Sequence, residues 1–253
     1  KQERSVVPEI FVINLVSSAA RRANITSQLA DLGLAFTLFP AVDGRKDEHP
    51  LFGKYDSALK QHYHGQALSK GQLGCYASHY LLWQKCVELD HPVVVLEDDA
   101  LIYPKPFSEF VNNIDALRQQ FDCVRLFDNK RKAFSSCRVA GLNTVEIHKF
   151  NKGHLSATGY FLTPNGARKL LQHSEHWYMP VDLYMDRYWV NGVECYGTVP
   201  ACVTNDPKFD SDIGDGESEP RSFVARCRRE WFNFNELTKR TLHNFSATKR
   251  SKN

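Results

Sequence analysis

Three acids stand in a row at Glu97-Asp98-Asp99, directly behind the apolar run Val93-Val94-Val95-Leu96. Consecutive carboxylates repel one another unless a cation offsets them. Along an extended chain side chains alternate, which sets Glu97 and Asp99 on one side and Asp98 on the other. Two carboxylates on one side suit Mg²⁺ or Mn²⁺ and leave positions open for phosphate oxygens and water. A solvated acidic strand end is the alternative. A second pair, Asp182 and Asp186, follows Pro180 at a four-residue spacing. That spacing gives one helix face, with Asp182 in the first turn, where the dipole favours a carboxylate. An acid so placed serves as a general base or merely as a cap. Gly71, Gly74, Ser78 and His79 share a helix start or face, where small residues and free N–H groups admit an anion. His79 equally fits a helix-packing role. Arg21 and Arg22 are phosphate ligands or solvated charges.

The elements that must hold these residues follow from pattern. Ile10 to Leu15 is a buried strand by its apolar, β-branched run. Ser17-Ser18 caps a helix through Ile25, Leu29 and Leu32 that stops at Gly33. Phe36 to Phe39 is a second strand, closed by the turn signal Asp43-Gly44. Residues 45–70 read as a polar loop. Ser69-Lys70-Gly71-Gln72 has the form of a capping box, opening a helix that Pro92 ends. Val93 to Leu96 is the next strand. A helix is expected over Phe107 to Phe121, a strand over Cys123 to Phe127, and a hairpin within 128–153. Strands follow at Gly159 to Leu162 and Glu194 to Val199, with helices from Asn165 and Pro180. This β-α-β-loop-α-β order is that of an α/β sheet with ligands at strand carboxyl ends.

The 253 residues carry 32 basic and 29 acidic side chains, too even a balance to imply nucleic acid. At 42% hydrophobic and 12% aromatic the chain is globular in profile. No apolar run approaches the ~20 residues of a membrane-spanning helix. Seven cysteines without a C-x-x-C pair argue for free thiols in a reducing compartment. The charge is unevenly spread: from Arg221 onward nine basic residues face two acids, Glu230 and Glu236. Phe223, Cys227, Trp231 and Phe234 recur there at helical spacing with basic residues between them, which suits an anionic membrane surface. A helix packed on the body with a solvated basic face is the alternative. The division expected is a catalytic domain over 1–220 and a basic amphipathic tail over 221–253.

Several segments in order resemble glycosyltransferase family 25, the lipooligosaccharide galactosyltransferases and their collagen-modifying relatives. They are Val12-Ile13-Asn14-Leu15 with Arg21-Arg22, Ala41-Val42-Asp43-Gly44, and Leu68-Ser69-Lys70-Gly71-Gln72-Leu73-Gly74-Cys75 with Ser78-His79. Leu96 to Ala100, Thr158 to Thr163 with Gly166-Ala167, and Pro180-Val181-Asp182 continue the series. The resemblance covers about residues 10 to 215 and leaves the tail outside. It implies a single-domain α/β fold of GT-A type, its nucleotide-binding sheet flanked by helices. It also implies inverting transfer, usually of galactose from UDP-galactose, with Mn²⁺ or Mg²⁺. Carried over, Glu97 and Asp99 would hold the metal and Asp98 would belong to the donor site. Asn14, Leu15 and Arg21 would face the nucleotide, Asp43 would lie near the uridine, and Ser69 to His79 would line the donor pocket. Asp182 would be the base, with Asp186 in reserve; Asp212 and His154 are candidates for a third metal ligand. The acceptor implied is a lipid-linked oligosaccharide on the cytoplasmic face of the bacterial inner membrane, where the tail would dock peripherally. Competing readings are a UDP-glucose-dependent enzyme, a nucleotidyltransferase, and a silent carbohydrate- or nucleotide-binding module.

Overall fold

Ile10 to Ile13 alternate across a sheet that is covered on both faces, so an unbroken apolar run forms its interior strand β1 (Glu9–Asn14). The computed structural model describes residues 8–64, 67–209 and 223–250. After β1 the chain enters α1 (Ala19–Asp31), which ends before Gly33 at φ +65°. It returns as β2 (Thr37–Pro40). The stretch expected as loop instead holds a 3-10 helix, Pro50–Lys54, and α2 (Ser57–His64). Local side chains nucleate both. His49 accepts the Leu51 N–H at 3.2 Å, and Asp56 accepts the Leu59 N–H at 2.8 Å.

The Ser69 capping box is complete, with Ser69 Oγ accepting from Gln72 N–H and Gln72 Oε1 accepting from Ser69 N–H, and it opens α3 (Lys70–Leu89). Then come β3 (Val93–Glu97), β4 (Ala100–Ile102), α4 (Pro104–Asn112) and α5 (Ile114–Leu117). The single helix expected over Phe107 to Phe121 breaks at Asn113. Its side chain donates back to the Glu109 carbonyl at 2.7 Å, and its N–H bonds Phe110 and Val111. The remaining elements are β5 (Cys123–Arg125), β6 (Ser136–Gly141), β7 (Glu146–Phe150), β8 (Gly159–Leu162), α6 (Pro164–Gln172), α7 (Val181–Met185), α8 (Tyr188–Asn191), β9 (Tyr196–Val199), β10 (Val203–Asn205) and α9 (Phe223–Arg250).

Eight strands form one mixed sheet in the order β2-β1-β3-β8-β5-β9-β7-β6. β2, β1 and β3 run parallel; β8 lies antiparallel between β3 and β5, with Leu96 opposite Gly159. One face packs Phe11 and Ile13 with α3, α6 and α7 around Trp83 and Trp177; the other packs Ile10 and Val12 with α1, α4 and α5. Tyr160, Trp83 and Trp177 are core residues, all fully buried. This is the single α/β domain of GT-A type that the sequence predicts, with a helix at its C-terminal end. All seven cysteines are free thiols. No helix among the described residues is long and apolar enough to cross a membrane.

Candidate functional site

The parallel strands β1, β2 and β3 end at one edge, and a cleft opens there. Its first half is lined by Ile13, Leu15, Arg21, Ala41, Val42, Asp43, Gly71, Ser78 and all three acids. The segment Val42 to Gly44 lies directly on the first turns of α3. A Cβ on Gly74 would stand 2.4 Å from the Val42 carbonyl oxygen. Ser78 Oγ fixes this contact by accepting the Val42 N–H at 2.9 Å and donating to the Gly74 carbonyl at 2.8 Å. Gly74 and Ser78 thus shape the wall, while Ser69 caps α3 behind it. Asp43 accepts from its neighbour Arg45 at 3.1 Å, closing the turn that rims the cleft.

The three acids do not alternate as an extended strand would have them, because the chain turns directly after Glu97. Each meets a different environment. Asp98 turns inward: Asn14 Nδ2 donates to it at 2.6 Å and Arg21 approaches at 3.5 Å. Burial raises its carboxyl against the pull of those two partners. Arg21 lines the cleft, whereas Asn14 is buried beneath it, its amide held between Asp98 and the Ser18 carbonyl. Arg21 also lies over the Phe209 ring.

Glu97 accepts from His79 Nε2 at 3.3 Å and from Cys75 Sγ at 3.7 Å on one oxygen, and from Thr158 Oγ1 at 3.0 Å on the other. Burial works to raise this carboxyl, and the His79, Thr158 and Cys75 hydrogen bonds more than offset it, holding the group below the usual range. Cys75, His79 and Glu97 have the mutual spacing of metal ligands. The hydrogen-bond network argues for a different role. Trp83 Nε1–H, a donor only, gives its hydrogen to Tyr160 Oη at 3.0 Å. The phenol hydrogen is then left for His79 Nδ1 at 2.9 Å, so the ring proton sits on Nε2 and points at Glu97. A metal on Nε2 would drive that proton to Nδ1 and strip the buried phenol of its acceptor. His79, fully buried, is thus a positioning residue for Glu97 rather than part of the pocket lining.

Asp99 is the acid left for a ligand. Oδ2 accepts from Asn205 Nδ2 at 3.1 Å, while Oδ1 is buried without a partner. Burial and the nearby Glu97 charge push its carboxyl up to about 7, against the pull of Arg21. An orphaned buried oxygen beside two further carboxylates fits a hard divalent cation. Asp99 would hold it, with Glu97 adjacent and already committed to internal donors. Asp212 lies outside the described residues. His154 is no ligand in this arrangement: it is buried behind the cleft wall, against Phe150, and burial with Arg125 and Arg131 lowers it to about 3.

The second half of the cleft shares Cys75, Glu97 and Asp99 with the first and adds Lys130, Leu155 to Thr158, Asp182, Asn205 and Phe209. Asp182 sits at the start of α7, accepts the Leu183 N–H, and is raised by burial and by Asp186. Asp186 is placed quite differently. Its carboxylate is enclosed by Arg125 at 3.4 Å and Arg131 at 3.2 Å, and accepts the backbone N–H groups of His154 and Leu155, each at 3.0 Å. A Cβ on Gly153 would collide with it at 1.9 Å. Leu155, at φ +55°, is held in the left-handed region by this grip. Asp186 is therefore a clamp on the loop that walls the cleft, with no lone pair turned toward a substrate, and Asp182 is the acid that faces the opening. Sequence reading did not single out Lys130, Asn205 or the clamp arginines. Arg125, a buried charge inside an apolar strand, was a visible signal of a partner.

The family model described as "Glycosyltransferase family 25 (LPS biosynthesis protein)" matches residues 7–185. A Haemophilus influenzae protein named "Lipooligosaccharide biosynthesis protein lic2B" is 25% identical over 215 residues, 80% of this chain and 78% of that one. The Xenopus laevis "Procollagen galactosyltransferase 1-B" is 28% identical over 173 residues, 64% of this chain and 28% of its own length. The mouse "Inactive glycosyltransferase 25 family member 3" is 28% identical over 186 residues, 70% of this chain and 31% of its own. The chain spans about a third of the length of the animal relatives it matches.

Proposed function

The chain belongs to glycosyltransferase family 25, and from that premise we propose that it is an inverting, UDP-sugar-dependent hexosyltransferase acting on a lipooligosaccharide-type acceptor. The observation that carries this reading is the division of one cleft by Asp99. Small residues with Leu15, Arg21 and Asp43 lie on the side suited to a nucleotide; Asp182, Lys130 and Asn205 lie on the side suited to a sugar acceptor. Galactose is the donor sugar favoured by the name of the frog relative, and a lipid-linked oligosaccharide is the acceptor class favoured by that of the bacterial one.

A divalent Mn²⁺ or Mg²⁺ at Asp99 would supply electrostatic stabilisation of the diphosphate leaving group. The chain's own residues do the rest. Asp98, fixed by Asn14 and Arg21, and Glu97, fixed by His79 and Thr158, set the position of Asp99. Asp182 takes the proton of the acceptor hydroxyl as its oxygen attacks the anomeric carbon, and UDP departs from the opposite face. One displacement inverts the centre, so no covalent nucleophile is needed. The raised carboxyl of Asp182 is a better proton acceptor than an ordinary aspartate. Its site of action on this reading is the cytoplasmic face of a bacterial inner membrane.

The test is UDP release from a panel of UDP-hexoses, with and without Mn²⁺. Metal-dependent release from UDP-galactose supports the proposal, and release from UDP-glucose alone changes the donor. Metal-dependent UDP binding with no turnover on any acceptor glycan would make the chain a silent module, like the inactive mouse relative. Pyrophosphate release would make it a nucleotidyltransferase.

A further inference from the structure

A surface helix normally turns its apolar stripe to the core and its charges to water. α9 does the reverse. The side chains that meet the body recur at three- and four-residue steps and are mainly polar: Glu236, Arg240, His243 and Asn244, with Phe232. The Glu236 carboxylate forms a forked pair with the Arg187 guanidinium. Asn244 bonds Tyr188 Oη at 2.9 Å and the Asn151 carbonyl at 3.1 Å. His243 pairs with Glu194, Arg240 lies over Trp189, and Phe232 packs on Tyr63. On the opposite side of the same helix Phe223, Trp231, Phe234, Leu242 and Phe245 stand 80%, 70%, 61%, 62% and 67% exposed, with Cys227 among them. The tail thus packs on the body, as one sequence-based reading has it, and its aromatic face is exposed.

An apolar stripe of this extent in water marks a surface with a partner. The charges beside it say which. Arg226, Arg228 and Lys239 are exposed on its shoulders. Of the two acids on the helix, Glu236 is consumed by Arg187, which leaves Glu230 as the one acid on the outward side. In an antiparallel pair of such helices, Arg226 and Arg228 would face Lys239 of the other copy, like charge against like. An anionic bilayer instead takes the aromatic side chains at its acyl boundary and the basic ones at its headgroups.

We propose that α9 is a preformed in-plane anchor that seats Phe223, Trp231, Phe234, Leu242 and Phe245 in an anionic lipid surface while its polar face stays bolted to the body. Most amphipathic anchors fold as they bind; this one is folded by Arg187, Tyr188, Asn151 and Glu194 beforehand. Its orientation on the membrane is therefore set by the protein. The inference stands apart from the transferase reading and survives its failure.

The experiment is co-sedimentation of the full chain with vesicles of phosphatidylcholine, alone or with phosphatidylglycerol. Binding is expected with phosphatidylglycerol and is expected to fall by tenfold or more between low and high salt. The triple variant Trp231→Ser, Phe234→Ser, Phe245→Ser removes exposed side chains and should fold normally. It is expected to bind at least tenfold more weakly. Arg226→Glu with Arg228→Glu is expected to abolish the preference for phosphatidylglycerol. Trp231 fluorescence should shift to the blue on binding, Trp83 and Trp177 being buried and Trp189 lying under Arg240 on the body side of α9, while far-ultraviolet circular dichroism stays unchanged. Undiminished binding by the triple variant, or no binding by the wild type, overturns the proposal. So does a wild-type dimer that the triple variant dissociates, which would make the occupant a second copy. A gain of helicity on binding overturns the preformed anchor.

Discussion

Asp182 and Asp186 lie one helical turn apart, yet replacing each by asparagine should change the protein in opposite ways. Asp186 is 3% exposed and its two oxygens meet only donors: two guanidinium groups and two backbone N–H groups. An amide keeps one acceptor oxygen and turns an NH₂ toward the remaining donors. It also leaves Arg125, itself buried, without its counter-charge. Removing one partner from a buried pair costs about 3–5 kcal/mol. At roughly 2–4 °C per kcal/mol for a chain of this size, Asp186→Asn should melt about 6–20 °C lower. Asp182 is the reverse case. Burial and Asp186 already disfavour its charge, so Asp182→Asn should melt at or slightly above the wild-type temperature. Its turnover should fall by about 10²–10⁴-fold, the range of a lost general base, with UDP binding intact. Calorimetry and a UDP-release assay on both variants decide the matter. Equal melting temperatures for wild type and Asp186→Asn would refute the clamp. Near-normal turnover by Asp182→Asn would refute the base.

Asp99→Ala should fold and abolish Mn²⁺-dependent UDP binding by titration calorimetry, since among the described residues it removes the cleft acid whose buried oxygen has no partner; unchanged metal dependence would move the ion elsewhere. Gly74→Ala should cost about 1–3 kcal/mol and weaken UDP binding by pushing Val42 off α3, whereas Gly53→Ala, with open space around it, should do neither in the same unfolding and binding assays. Against a disulfide reagent at pH 8, Cys137 and Cys227 should react promptly. The other five should wait for unfolding, because burial pushes Cys86 and Cys202 up to about 12, Cys123 to about 11, and Cys75 and Cys195 up as well. His154 is lowered from 6.5 to about 3 by burial, so the unfolded chain binds a proton that the native one refuses. Its contribution is full above pH 6.5 and is lost as pH falls toward 3, about 2 kcal/mol by pH 5. His154→Leu should flatten that part of the stability profile measured by urea unfolding.

The sequence exposed what depends on local pattern. Ser69 and Gln72 announce their capping box by spacing alone, and Val93 to Leu96 announce a buried strand that must deliver Glu97 to an edge. It did not expose what depends on partners far along the chain. A shared helix face left Asp186 standing as a reserve for Asp182. Only the fold brings Arg125, Arg131 and Gly153 to one of them. His79 has the residue type of a ligand, and its role as a wired donor is set by Trp83 and Tyr160, four and 81 positions away. Strand alternation misled at Glu97-Asp98-Asp99 because the ladder ends at the first of them. In the tail, periodicity identified the apolar stripe correctly. Its outward direction follows from Arg187, Glu194 and Asn151, which no local reading connects to α9.

The antiparallel placement of β8 has an engineering consequence. The three parallel strands send their acids and glycines into the cleft from where they end, while β8 brings Thr158 in from where it begins. The pairing of Leu96 with Gly159 locks that entry point to β3. The loop from Asn151 to Ala157 is then tethered at Thr158 on one side and gripped by Asp186 on the other. The wall facing the acids is thus fastened at both of its ends, and an insertion between Gly153 and Thr158 is expected to break the Asp186 grip and lower the melting temperature as Asp186→Asn does.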